Sequence, residues 1–140
     1  MRDDYALPKP GRKLAIVDPD PTNCMLLREI GLASGWDVAG FADSVAEGLA
    51  LVARSRPDCL IADYHFADDQ TGLDLIARAK RMAPGLFGVI LTGWDINDVA
   101  THVGAMPPDR ILRKPVPPHF LMNLLDSITV EQPIIRINAV

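Results

Sequence analysis

Cys59-Leu-Ile-Ala-Asp63 is a short apolar run that ends abruptly at an acid, near the middle of a chain of 140 residues. Four apolar residues in succession are typical of a strand buried on both faces. The segments 45–55 before it and 73–80 after it carry apolar residues at helical spacing. A buried strand between two amphipathic helices predicts the repeating unit of a parallel α/β sheet.

The same alternation extends to both sides of this strand. Each further apolar run is followed by a segment with helical spacing, and Thr22 is the expected cap of the first helix. Five parallel strands joined by right-handed helical crossovers predict a three-layer α/β sandwich. The other predicted strands are Lys13–Val17, Trp36–Phe41, Leu86–Leu91 and Arg110–Arg113, and the other predicted helices are Thr22–Ser34, a short one at Asp95–Val103 and Phe120–Ile128.

Composition narrows the possible classes of function. Hydrophobic residues make up 49% and charged residues 23%, which is ordinary for a globular domain and argues against disorder. The net charge of −4, without a basic cluster, argues against direct binding of nucleic acid. No apolar run is long enough for a membrane span or a secretory signal, so a cytoplasmic protein is expected. Cys24 and Cys59 fit no disulfide or zinc pattern and are expected to be buried.

Polar residues stand at the ends of four predicted strands: Asp18, Asp63, Thr92 and Lys114. Parallel strands bring their carboxyl ends to one edge of the sheet, which is where such folds bind ligands. Carboxylates that meet at one edge favour a hard cation such as Mg²⁺. A lysine and a hydroxyl beside it supply what a phosphoryl group needs. The pattern therefore predicts a site that holds a phosphoryl group.

These residues resemble the pattern of response regulator receiver domains of two-component signalling, through Leu-Ile-Ala-Asp63, Ile-Leu-Thr92-Gly93 and Leu-Arg-Lys114-Pro115. The resemblance implies a flavodoxin-like (βα)5 fold with strand order 2-1-3-4-5, and a receiver domain over residues 12–128. Residues 1–11 are then expected to be a flexible segment and residues 129–140 a tail.

The resemblance also implies the chemistry. Asp63 would accept a phosphoryl group from a phosphohistidine on a sensor histidine kinase or a histidine phosphotransfer protein. Mg²⁺ would be held by Asp18, Asp63 and the backbone carbonyl of His65, while Lys114 pairs with the anion. The hydroxyl of Thr92 would report the phosphoryl group to the rest of the domain. Such a protein phosphorylates and dephosphorylates itself and signals by protein contact, without being a turnover enzyme.

The sequence departs from the family pattern at three places. Pro19 occupies the position of the second acid after strand one, so Mg²⁺ binding is expected to be weak, and Asp20 is a weaker candidate ligand. Ile111 stands where many receivers carry an aromatic residue that moves with the threonine. The loop after Asp63 places Gly72 one residue later than usual.

The sequence is also compatible with two other functions and with self-association through the tail. Pro19 and Ile111 favour a pseudo-receiver that acts as a binding module without phosphorylation. Asp18-x-Asp20-x-Thr22 also matches the first motif of haloacid-dehalogenase-type phosphatases, with Asp18 as the nucleophile. The residues after Ile128 are too few for a DNA-binding module, so the downstream partner is expected to be a protein that the sequence does not name. The apolar tail at 134–137 suggests pairing with a sheet edge or a homodimer.

Overall fold

Five strands form one parallel sheet in the order β2-β1-β3-β4-β5. The computed structural model describes residues 12–129, in which strands and helices alternate from the first element to the last. The predicted three-layer sandwich and its strand order are confirmed. The elements are β1 (Lys13–Val17), α1 (Pro21–Ala33), β2 (Asp37–Ala42), α2 (Val45–Ser55), β3 (Cys59–Asp63), α3 (Gly72–Met82), β4 (Phe87–Thr92), α4 (Ile96–Ala100), β5 (Arg110–Arg113) and α5 (Pro118–Ser127).

The sheet separates two apolar layers. On one side, the buried side chains of α2 and α3 pack with Val99 of α4 against the sheet. On the other, α1 and α5 pack with the opposite face and with Trp36, which is 1% exposed. Alternate residues of the central strands enter the two layers, so the strands are buried on both faces, as their continuous apolar sequences predict. Cys24 and Cys59 are both free and buried, as expected.

Four helices begin or end at different residues from those predicted, and the differences are most informative for α1 and α4. Helix α1 starts at Pro21, because the carboxylate of Asp20 accepts the backbone N–H of Thr22 and makes Asp20 the cap. Thr22 therefore lies inside the first turn. Helix α4 has only five residues, and the polar segment after Ala100 continues as turns. Its weak apolar periodicity gave little reason for a longer helix.

The strand register determines where the functional side chains lie. Val17 lies beside Ala62, Asp63 beside Leu91, and Thr92 beside Arg113. The residues that follow β1 and β5 are Asp18 and Lys114, so all four strand ends finish at the same level of the sheet. The carboxyl edge of the sheet therefore carries the predicted site.

The expectations for the chain ends fall on residues 1–11 and 130–140, which lie outside the described residues. Pairing of the tail at 134–137 with a sheet edge thus stays a prediction. Among residues 12–129, no helix is both long and apolar enough to cross a bilayer.

Candidate functional site

Asp63 and Lys114 form the centre of the site. The Nζ atom of Lys114 lies 2.8 Å from Oδ1 of Asp63 and 4.0 Å from Oδ2 of Asp18. The side chain of Asp63 is 16% exposed and that of Lys114 is 30% exposed, so this ion pair is partly shielded from solvent but open to a ligand. One ammonium group thus neutralises two carboxylates that would otherwise repel each other.

Asp18 is buried and well bonded. It is 3% exposed, its Oδ1 accepts the backbone N–H of Asp20 at 2.8 Å, and its Oδ2 accepts the side-chain amide of Asn23 at 3.4 Å. Burial raises the pKa of the Asp18 carboxyl above its ordinary value, and the charge of Asp63 adds to this, while the bond from Asp20 and the charge of Lys114 oppose it. Keeping the Asp18 carboxylate ionised in the folded protein therefore lowers the free energy of unfolding.

Asp18→Asn is expected to raise the free energy of unfolding at neutral pH when measured in EDTA. A carboxyl whose pKa is raised by folding costs nothing below its unfolded value of 3.8, and destabilises the fold as pH rises through the folded pKa. The gain should consequently vanish in acid. Urea unfolding across this pH range tests it, with Asp69→Asn at an exposed position correcting for net charge. An equal increase in the free energy of unfolding at every pH would contradict the raised pKa of Asp18.

Thr92 is fully buried at the end of β4. Its carbonyl accepts the backbone N–H of Lys114 at 2.7 Å, which ties the ends of β4 and β5 together. Its hydroxyl oxygen accepts the backbone N–H of Trp94 at 2.9 Å. Since that bond uses only the oxygen as an acceptor, the hydroxyl proton remains available to a ligand.

The loop after Asp63 is held close to the sheet. The N–H of Gly72 donates to the carbonyl of Tyr64 at 2.7 Å, and Thr71 caps α3 in a capping box with Asp74. A side chain at position 72 would collide with the carbonyl of Asp63 and with Ile90, so only glycine fits there. This contact explains why α3 begins with a glycine.

The donor set for a metal ion is small. Within residues 12–129, no group of three or more His, Cys, Asp or Glu side chains is arranged to hold a metal. Pro19 supplies no ligand, and the exposed carboxylate of Asp20 is used as the α1 cap. Asp18 and Asp63 remain. They still fit Mg²⁺, which is commonly bound in proteins by one or two carboxylates together with water and phosphate oxygens.

Sequence reasoning missed two features of the site. Asn23, in the first turn of α1, supports Asp18, and a polar residue one turn into the helix after an acidic strand end was the available signal. The rings of Tyr64, His65 and Trp94 also meet above the strand ends, although they come from two loops. Loop conformations determine that contact, and no spacing in the sequence indicates it.

A family model described as the response regulator receiver domain matches residues 14–126. The chain belongs to this family. Over 120 residues the receiver domain is 34% identical to the transcriptional regulatory protein GlrR of Escherichia coli strain K12, a match that covers 81% of this chain and 25% of GlrR. The chain therefore spans about a quarter of the length of this curated relative.

Solved receiver structures share the fold. A CheY-like response regulator receiver domain protein from Methanospirillum hungatei JF-1 has a TM-score of 0.74 at 23% identity, covering 83% of this chain and 91% of that one. The response regulator PhyR from Brucella abortus has a TM-score of 0.71 at 21% identity, covering 85% of this chain and 48% of that one. Receiver domains are signalling modules, and the family match leaves the dehalogenase-type phosphatase alternative without support.

Proposed function

We propose that this receiver accepts a phosphoryl group on Asp63 and signals through protein contact. The observation that supports the proposal most is the 2.8 Å ion pair between Lys114 and Asp63, with the buried Asp18 and Thr92 at the neighbouring strand ends. Asp63 is partly exposed, whereas the carboxylate of Asp18 is enclosed and bonded. Of the two acids, Asp63 is thus the accessible nucleophile.

The transfer is an in-line displacement. A carboxylate oxygen of Asp63 forms a bond to phosphorus while the bond from phosphorus to the donor, a histidine nitrogen or the acetate oxygen of acetyl phosphate, breaks with its electron pair. Lys114 already neutralises the carboxylate and would remain beside the phosphoryl oxygens, where it stabilises their charge. The buried hydroxyl of Thr92 would donate its proton to one of those oxygens.

Asp18, Asp63 and the backbone carbonyl of His65 would hold Mg²⁺. When bound, the ion supplies positive charge to the phosphoryl oxygens during transfer. Two carboxylates bring less negative charge than three, so affinity should be low, and the emission of Trp94 should not change at submillimolar Mg²⁺. Asp20 is the weaker candidate ligand, because one of its two carboxylate oxygens, Oδ1, already accepts the N–H of Thr22.

Pro19→Asp is expected to tighten Mg²⁺ binding by about tenfold, because it restores a carboxylate beside Asp18. Isothermal titration measures the dissociation constant. Pro84→Asp is the matched control: it makes the same substitution at an exposed position between α3 and β4, at the opposite edge of the sheet, and should change the affinity little. Equal affinities of the wild type and Pro19→Asp would refute the explanation of the weak site.

A pseudo-receiver that binds a partner without phosphorylation is the second candidate. Pro19 removes one ligand, and Ile111 packs among the apolar side chains under α4 and cannot act as an aromatic switch. This candidate predicts no phosphoryl incorporation under any condition. Incubation with acetyl phosphate and millimolar Mg²⁺, followed by intact-mass measurement, separates the two functions. One hydroxylamine-sensitive phosphoryl group per chain is expected, and an unmodified mass would refute phosphorylation.

The family supplies the class of partner. Receiver domains interact with histidine kinases or phosphotransfer proteins, and we propose such a protein as the phosphoryl donor here. The downstream partner is proposed to be another protein, because the chain is acidic and has no basic cluster for nucleic acid. A cytoplasmic location and a homodimer through the tail are parts of the same proposal.

A further inference from the structure

Three aromatic rings connect the two loops that border the phosphorylation site. The ring of His65 lies edge-on at 4.3 Å from the ring of Trp94 and at 4.7 Å from the ring of Tyr64. Tyr64 and Trp94 are 6.0 Å apart. Tyr64 and His65 directly follow Asp63, whereas Trp94 follows Thr92 by two residues, so each loop contributes rings next to a site residue.

The ring of Tyr64 and the backbone of His65 are held firmly, although the side chain of His65 is exposed. The backbone N–H of Tyr64 donates to the carbonyl of Leu91 at 3.0 Å, its carbonyl accepts the N–H of Gly72, and its side chain is 5% exposed. His65 pairs with Thr71 in an isolated antiparallel bridge at the start of α3. This side of the contact therefore has little freedom to move.

Trp94 is held much less firmly. It is 52% exposed, and the residues from Gly93 through Asp98 are all exposed. A side chain built on Gly93 would meet no atom within 4 Å, so this part of the loop has space around it. Within residues 12–129, two contacts restrain Trp94: its N–H donates to the hydroxyl of Thr92, and its ring contacts those of His65 and Tyr64.

We propose that Trp94 is the positioning residue that transmits the state of Asp63 from Thr92 to the loop before α4. The inference rests on the proposed phosphorylation of Asp63. The proposal requires the side chain of Thr92, and not only its hydroxyl proton, to turn toward a phosphoryl oxygen, so that its oxygen leaves the position in which it accepts the N–H of Trp94. Either the bond breaks or the loop follows, and in both cases the ring of Trp94 moves relative to the buried ring of Tyr64 and to His65, whose backbone is anchored.

The ring contact determines the balance between the two positions of the loop. Aromatic edge contacts of this kind favour one arrangement by a factor of about two to ten, which is enough to set a population but small enough for a ligand to reverse. Trp94 thus takes the part that Ile111, a partly buried aliphatic residue that packs against the core, does not perform. The surface that changes is the exposed segment 93–98.

Tryptophan emission tests the inference, because the chain has two tryptophans and Trp36 is buried in the opposite layer. In a Trp36→Phe variant, acetyl phosphate should change the emission of Trp94 in proportion to the phosphoryl group measured by intact mass. If that variant does not fold, the difference between the wild type and Trp94→Phe gives the same signal.

Three substitutions test whether the signal passes from Thr92 to Trp94. Per phosphoryl group incorporated, Thr92→Ala should abolish the emission change, and His65→Ala should reduce it about two- to tenfold because the loop is already released. His65→Phe keeps a ring and should restore the change. A phosphorylated protein with unchanged emission, or equal changes in all variants, would overturn the role of Trp94 alone. Absence of phosphorylation would overturn both the inference and the proposed function.

Discussion

Asp63→Asn is expected to abolish phosphoryl incorporation from acetyl phosphate, with a loss of more than about a hundredfold in initial rate. The amide has nearly the same shape as the carboxylate but is not a nucleophile. It also loses the charge that pairs with Nζ of Lys114 at 2.8 Å, and Lys114 keeps Asp18 as its remaining partner. The fold should therefore survive. Incorporation is measured by intact mass over time in millimolar Mg²⁺.

Asp69→Asn is the control for this experiment. Asp69 lies in the same loop, is exposed, and has a left-handed backbone (φ 58°) that asparagine adopts readily. It should be labelled at the rate of the wild type. Full labelling of Asp63→Asn would remove Asp63 from the role of acceptor and leave the ion pair with Lys114 as a structural contact.

Lys114→Met is expected to lower the rate of incorporation by about ten- to a hundredfold. In the unmodified protein Lys114 neutralises Asp63 and Asp18, and during transfer it would face the phosphoryl oxygens, where loss of a preorganised positive donor is costly. The range lies below that for a fully enclosed donor, because the lysine side chain is 30% exposed and water screens part of its charge.

Arg113→Met is the matched control, since Arg113 is the preceding residue, carries the same charge, and is exposed at the end of β5. It should keep at least about half of the wild-type rate. Urea unfolding of both variants shows whether the two carboxylates left by Lys114→Met weaken the fold. Equal rates in the wild type and Lys114→Met would mean that the lysine has no part in the transfer.

The sequence was sufficient to predict which residues meet at the edge of the sheet. Asp18, Asp63 and Thr92 each end an apolar run and Lys114 directly follows β5, and the parallel direction of the strands brings such residues to one edge. The periodicity also indicated the helices, because an apolar stripe must face the sheet. These predictions depend on patterns that a single strand or helix carries by itself.

The cap of α1 and the contacts between side chains of different segments could not be predicted from the sequence. The cap of α1 is Asp20 and not Thr22, since both residue types cap helices well and the turn through Pro19 and Pro21 decides between them. The support of Asp18 by Asn23 and the contact of His65 with Trp94 depend on side-chain directions at the sheet edge. Those directions follow from packing against neighbouring segments.

The central claim is that Asp63, at the rim formed by four strand ends, receives the phosphoryl group. Borohydride reduction of the wild-type protein after treatment with acetyl phosphate, followed by peptide sequencing in a mass spectrometer, locates the acyl phosphate directly. Homoserine is expected in place of Asp63 and at no other acid. Homoserine in place of Asp18, or a wild-type protein without any reduced acid, would contradict it.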